Sequence, residues 1–151
     1  MMRFNCFLCL LMLLAVFCPS WVDAEKTGAE WVFVGFTKYR DALFIDMSRL
    51  ACETDQRPQV WSRITPAERS KYYKQIRRDL SKVNINPQEF RYLEVLNEID
   101  CRNRRIRYLK IIYFRPDGRV IHDTRDDGPV WKSVYSGSLW DNLLTTVCQK
   151  L

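Results

Sequence analysis

A single histidine, His122, serves the entire chain, and only five glycines are present. With one imidazole and no CxxC or CxxH spacing, a zinc or haem site built from thiolate and imidazole is not expected. A cysteine or serine nucleophile would likewise have one base to draw on. No Gly-rich phosphate loop, dinucleotide fingerprint, GxSxG elbow or HExxH pair occurs anywhere. Repeats, low-complexity tracts and Gly/Ser linkers are missing after Glu25, so the remainder reads as one continuous domain.

Long apolar runs are also lacking. The one candidate, residues 4–16 behind Arg3, is too short to span a bilayer comfortably and reads as a signal peptide rather than an anchor. The run ends at Pro19, and Val22-Asp23-Ala24 places branched and small residues where signal peptidase prefers them, so cleavage is expected before Glu25. Residues 1–24 are then the signal and 25–151 the domain, 127 of the 151 residues, with no transmembrane span in the mature chain. Cys18 is not read as a lipid acceptor, because bulky Phe17 stands where a lipoprotein signal needs a small residue.

Of six cysteines, Cys52, Cys101 and Cys148 survive that cleavage. Export favours disulfides over thiol chemistry. The net charge of +6 also survives, since Arg3 and Asp23 leave together. It admits an acidic partner such as an anionic polysaccharide or a lipid surface; nucleic acid is not expected for an exported protein.

Segments 30–36, 42–47 and 59–64 are short, aromatic and β-branched, which predicts strands. Thr65-Pro66-Ala67-Glu68 has the form of a helix-initiating capping box, and an apolar stripe through Tyr72 or Tyr73, Ile76, Leu80 and Val83 predicts a helix over 66–83. Beyond Pro87, Leu93, Val95, Ile99 and Cys101 share one face of an alternating strand and Glu94, Glu98 and Asp100 the other. A strand over 105–114, the turn RPDG and a strand over 119–124 extend an antiparallel meander. Ser138 caps a last helix, 139–150, whose buried stripe runs through Trp140, Leu143, Leu144, Val147 and Leu151. The expected fold is therefore α+β: an antiparallel sheet of about six strands, a C-terminal helix packed on one face and a basic mid-chain helix.

Cys101 lies on the apolar face of its strand and Cys148 at the apolar edge of the last helix, so both point to one interior and are expected to pair. Closing that 47-residue loop would restrict the unfolded chain by about 4 kcal/mol. Cys52, in a polar loop between Arg49 and Arg57, is left open: a small part-buried residue, a free thiol or an intermolecular bridge.

Paired carboxylates at Glu98 and Asp100 could in principle serve glycoside hydrolysis or calcium. They sit opposite the arginines of 102–107, and cross-strand ion pairs account for them better. RDDGP, 125–129, has only part of a calcium-loop spacing. The 66–83 segment carries six basic residues against Glu68 and Asp79, and Lys74, Arg77 and Arg78 are the candidate residues for binding a polyanion or another partner. No catalytic residue, metal ligand or cofactor is expected.

Trp31, the FID of 44–46, Val60-Trp61, EIDCRNRRIR at 98–107, the YF and DGRVI within 113–121, Trp131, the SGS of 136–138 and a near-terminal Cys148 together resemble the surface-adhesin protein E family of bacterial envelope proteins. The resemblance covers nearly all of the domain. It implies the same sheet with its terminal helix held by the same disulfide, and a periplasmic or surface location in a Gram-negative bacterium. It also implies binding of extracellular matrix and serum proteins such as laminin, vitronectin and plasminogen. The leading expectation is thus an exported, non-enzymatic binding protein. The alternatives are an envelope structural or stress protein without a host ligand and a small secreted hydrolase.

Overall fold

Alternation of apolar and polar residues along short segments builds a meander. The computed structural model describes residues 28–51, 57–125 and 130–150. The signal segment, Cys52, Asp126, Asp127 and Leu151 lie outside the described residues. Strands β1 (Trp31–Phe36), β2 (Ala42–Ala51), β3 (Gln59–Thr65), β4 (Tyr92–Asp100), β5 (Arg105–Phe114) and β6 (Val120–Arg125) follow one another in space as in sequence, every neighbour antiparallel. A short seventh strand, β7 (Lys132–Ser133), pairs with Arg105 and Ile106 at the start of β5. The fold is α+β, with helix α1 (Lys71–Lys82) between β3 and β4 and helix α2 (Leu139–Cys148) at the end.

One sheet face presents Leu43, Ile45, Val60, Ile64, Leu93, Val95 and Ile99, all buried. Both helices cover it: α1 contributes Ile76 and Leu80, and α2 contributes Leu143, Leu144 and Val147, to one apolar core. The i, i+4 spacing of Ile76 and Leu80 puts them on a single stripe of α1, as the periodicity expects. Asn97 interrupts the apolar face, and its amide donates to Ser62 Oγ at 2.8 Å and to the carbonyls of Val95 and Val60. A buried amide without such acceptors would cost about 1–3 kcal/mol.

Helix α1 starts five residues later than its sequence predicts. Thr65 is the last rung of β3, paired with Ala42, and the following proline favours an extended residue before it. The Ala67 N–H, which a capping box would leave to the helix, donates instead to the buried carboxylate of Asp41 at 3.0 Å. Ser70 becomes the cap, its hydroxyl accepting from the Tyr73 N–H at 2.9 Å. The far end closes where Asn84 adopts a left-handed conformation. Its N–H donates to the Ser81 carbonyl and the Ile85 N–H to the Leu80 carbonyl, the paired bonds of a helix-terminating Schellman turn.

Helix α2 begins at Ser138, which accepts from the Asp141 N–H, as expected, and ends at Cys148 rather than residue 150. Cys101 and Cys148 are bridged by a disulfide with their Cα atoms 5.9 Å apart. Gly35 sits at an irregularity of β1 with a φ of +153°, and a Cβ there would lie 3.0 Å from Leu139 Cδ1. Only glycine lets α2 come this close to the edge strand at that backbone angle.

Candidate functional site

The sheet face away from the helices is an ordered layer of charge and aromatic rings. Pairing in register puts Trp31, Asp46 and Trp61 in one row, Arg63 beside Glu94 in the next, and Glu98 opposite Arg107 and Asp100 opposite Arg105. The acids are covered: Glu94, Glu98 and Asp100 retain 7%, 3% and 5% exposure. Arg63 donates to Glu94 at 2.6 and 3.2 Å, Arg107 to Glu98, and Arg105 to Asp100 at 2.6 Å. The expected cross-strand ion pairs are therefore present for Glu98 and Asp100, whereas Glu94 turns the other way, to β3.

Above the carboxylates the guanidiniums rest on rings. Arg63 lies 4.1 Å from the Trp31 centroid and 4.6 Å from that of Tyr92, while Arg105 and Arg107 lie 5.2 and 4.7 Å from Trp131. Planar guanidinium suits this double role, a fork toward the acid and a flat face toward the indole. Burial would raise the Asp100 carboxyl, but bonds from Arg105 and from Asn103 outweigh it and hold the group at about 2. Asp46 is likewise lowered, burial being overcome by bonds from Ser48 and Arg49. Of the carboxyls read as a possible hydrolytic pair, Asp100 is thus held below its ordinary value, opposite to the raised acid that glycoside hydrolysis needs, and Glu98 is engaged by Arg107. The layer is mutually neutralised structure.

The three candidate cations of the mid-chain helix all fall on α1. Arg77 and Arg78, with Ser81, Lys82 and Pro87, border a shallow concavity of about 430 Å³, and Lys74 lies one turn earlier, outside it. Arg78 donates to Gln75 at 2.6 Å, Gln75 to Asp79, and Lys82 pairs with Asp79 at 2.9 Å. Arg77 lies over the Tyr73 ring, at 5.6 Å. Arg77 and Arg78 thus form no ion pair with any described carboxylate.

A second concavity, absent from any sequence pattern, opens between the helices on the core side. It has a volume of about 430 Å³ and is lined from the β1–β2 turn, β2, β3, α1, β5, β7 and α2. Leu43 and Ile64 belong to its lining with Tyr72, Tyr108, Leu139 and Trp140, and Lys38 and Lys132 contribute the cations.

Cys101 and Cys148 are joined within the fold, so neither is a thiol. His122 is half-buried on β6, its ring stacked 6.0 Å from that of Tyr113. Among the described residues no group of three or more His, Cys, Asp and Glu side chains is placed to hold a metal ion. No helix among them is long and apolar enough to cross a membrane.

An open antiparallel sheet, one helix clamped to it by a disulfide and a charged outer layer define a small α+β domain with surfaces for contact. Residues 31–149 match the sequence model of surface-adhesin protein E, and the chain belongs to that family. No curated protein and no solved structure matches it.

Proposed function

We propose that the protein is exported by cleavage of residues 1–24 and works at the cell envelope as a non-enzymatic binding module, with α1 as its contact surface. Its partners under this reading are matrix or serum proteins of a host, or the anionic polysaccharides that accompany them. Membership of a family of surface adhesins supports the location and the class of partner. The observation that carries the choice of surface is the grouping of Arg77, Arg78 and Lys82 around one concavity, with Arg77 and Arg78 in no ion pair with a described carboxylate. The arginines of the sheet face, by contrast, are occupied with buried carboxylates.

An anionic chain meeting α1 would find unspent positive charge with Lys74 one turn away, and such contacts steer association and weaken with salt. Charge reversal in the triple variant Lys74→Glu, Arg77→Glu and Arg78→Glu is expected to abolish retention on immobilised heparin and on laminin or vitronectin surfaces. The three side chains are outside the core, so thermal unfolding should be little changed. Retention equal to that of the unaltered protein would remove α1 from the reading.

A further inference from the structure

The cleft between α1 and α2 has the chemistry of a small-ligand site distinct from the α1 surface. Its volume, about 430 Å³, falls within the range of roughly 300–1,000 Å³ typical of clefts that enclose small molecules, and it is too small for a folded partner. The walls are aliphatic and aromatic: Leu43, Ile64, Leu139 and the Trp140 ring. Few polar groups are available to satisfy the many hydroxyls of a saccharide, so a sugar would enter at the cost of unpaired polar atoms.

The charge at the cleft is positive. Lys132 Nζ lies 4.3 Å from the Tyr108 centroid, Lys38 Nζ 5.1 Å from that of Tyr39, and Lys71 Nζ 6.0 Å from the same ring. None of the three lysines forms an ion pair with a described carboxylate. The lining's one acid, Asp41, is 1% exposed and engaged, accepting from the Thr37 hydroxyl at 2.8 Å and from the Ala67 N–H. The hydroxyls of Tyr72 and Tyr108 bond to no described protein acceptor and are left as donors. Tyr72 keeps 38% of its surface open, while the protein packed round its hydroxyl raises its pKa, as burial does for Tyr108.

We propose that this cleft binds a small amphipathic monoanion, a carboxylate on an aliphatic body of medium-chain fatty-acid size. The acyl chain lies along Leu43, Ile64 and Leu139 against Trp140, and the carboxylate accepts from the Tyr72 and Tyr108 hydroxyls between Lys38 and Lys132. Burial of the chain's methylenes supplies the affinity, and the cations supply the preference for the sign of the head group.

Isothermal titration of the exported protein with sodium decanoate, beside decyltrimethylammonium of the same chain length, tests this directly. One-to-one binding of decanoate is expected, with no matching signal from the cation. The variant Lys38→Glu, Lys132→Glu should weaken decanoate binding by about tenfold or more, and Tyr108→Phe, which removes a donor without altering packing, by about fivefold. The α1 triple variant should bind decanoate unchanged, which separates this site from the polyanion surface. Equal binding of both head groups, no heat with decanoate, or an unaffected lysine variant would overturn the proposal. Capture by anionic phospholipid vesicles without binding of free decanoate would also overturn it, assigning the lysines to a membrane surface.

Discussion

The Arg104 guanidinium donates to the Asp141 carboxylate, joining residues 37 apart in the chain. Arg104 belongs to the same turn as Cys101, and Asp141 to the same helix as Cys148. The four-residue turn between β4 and β5 therefore grips α2 at both ends, by an ion pair in its first turn and a disulfide in its last. The Arg104 carbonyl also accepts from the Val134 N–H at 2.9 Å, which fixes the segment leading into α2. A helix of ten residues is marginal alone and depends on such fastening and on its buried stripe.

The two fastenings are unequal. Arg104→Ala removes a pair that is open to water and should lower the urea midpoint only slightly. Loss of the bridge through Cys101→Ser with Cys148→Ser should cost about 4 kcal/mol, because a loop of 47 residues is released in the unfolded chain. A bridge variant no less stable than Arg104→Ala would refute this ranking.

Gly35→Ala places a methyl group 3.0 Å from Leu139 at a φ of +153°. The Leu139 side chain must then give way while the backbone angle strains any residue with a Cβ, and a loss of about 1–3 kcal/mol is expected. Shortening the neighbour in Gly35→Ala, Leu139→Ala should relieve the contact but not the backbone strain, so a double-mutant cycle by chemical denaturation should show partial coupling. Strict additivity of the two would mean that the close approach is not the cause.

On the outer layer, Arg107→Ala would strand the Glu98 carboxylate, which is 3% exposed, with no partner of opposite charge above it. Breaking one side of a buried pair costs about 3–5 kcal/mol, whereas Arg107→Leu combined with Glu98→Leu, which removes both charges, should come within about 1–2 kcal/mol of the unaltered protein. If the single variant is no worse than the double, the pair is not shielded from water as described.

Acid should weaken the same layer in a defined window. Asp100 titrates at about 2 in the fold against an ordinary 3.8, so the unfolded chain takes up its proton first. The stability it contributes is present above pH 3.8 and is lost as the pH falls through about 2. With Arg105 partly in water, that contribution is about 1–2 kcal/mol. Asp46 is lowered in the same sense. Asp100→Asn should flatten the acid limb of a urea-midpoint profile below pH 3.8, and an unchanged limb would argue against it.

Much of this architecture is legible residue by residue. Alternation along 93–101 separates Cys101 from the acids, and facing positions on β4 and β5 pair Glu98 with Arg107 and Asp100 with Arg105. The start of α1 misleads because Thr65 and Glu68 carry the local chemistry of a cap while the sheet and Asp41 claim Thr65 and Ala67 first. Tertiary pairing overrides a local preference worth about 1 kcal/mol. The cleft has no sequence signature, because Lys38, Tyr72, Tyr108, Lys132 and Trp140 come from separate elements and meet only once both helices lie on the sheet. Arg104 and Asp141 are unreadable for the same reason.

Export and the clamp on α2 are the foundation of the functional reading, and one measurement reaches both: intact mass after alkylation of the unreduced, unfolded protein. A species of 127 residues carrying one label, on Cys52, is the expected result. Three labels on that species would contradict the Cys101–Cys148 bridge, and a full-length mass of 151 residues would contradict cleavage before Glu25.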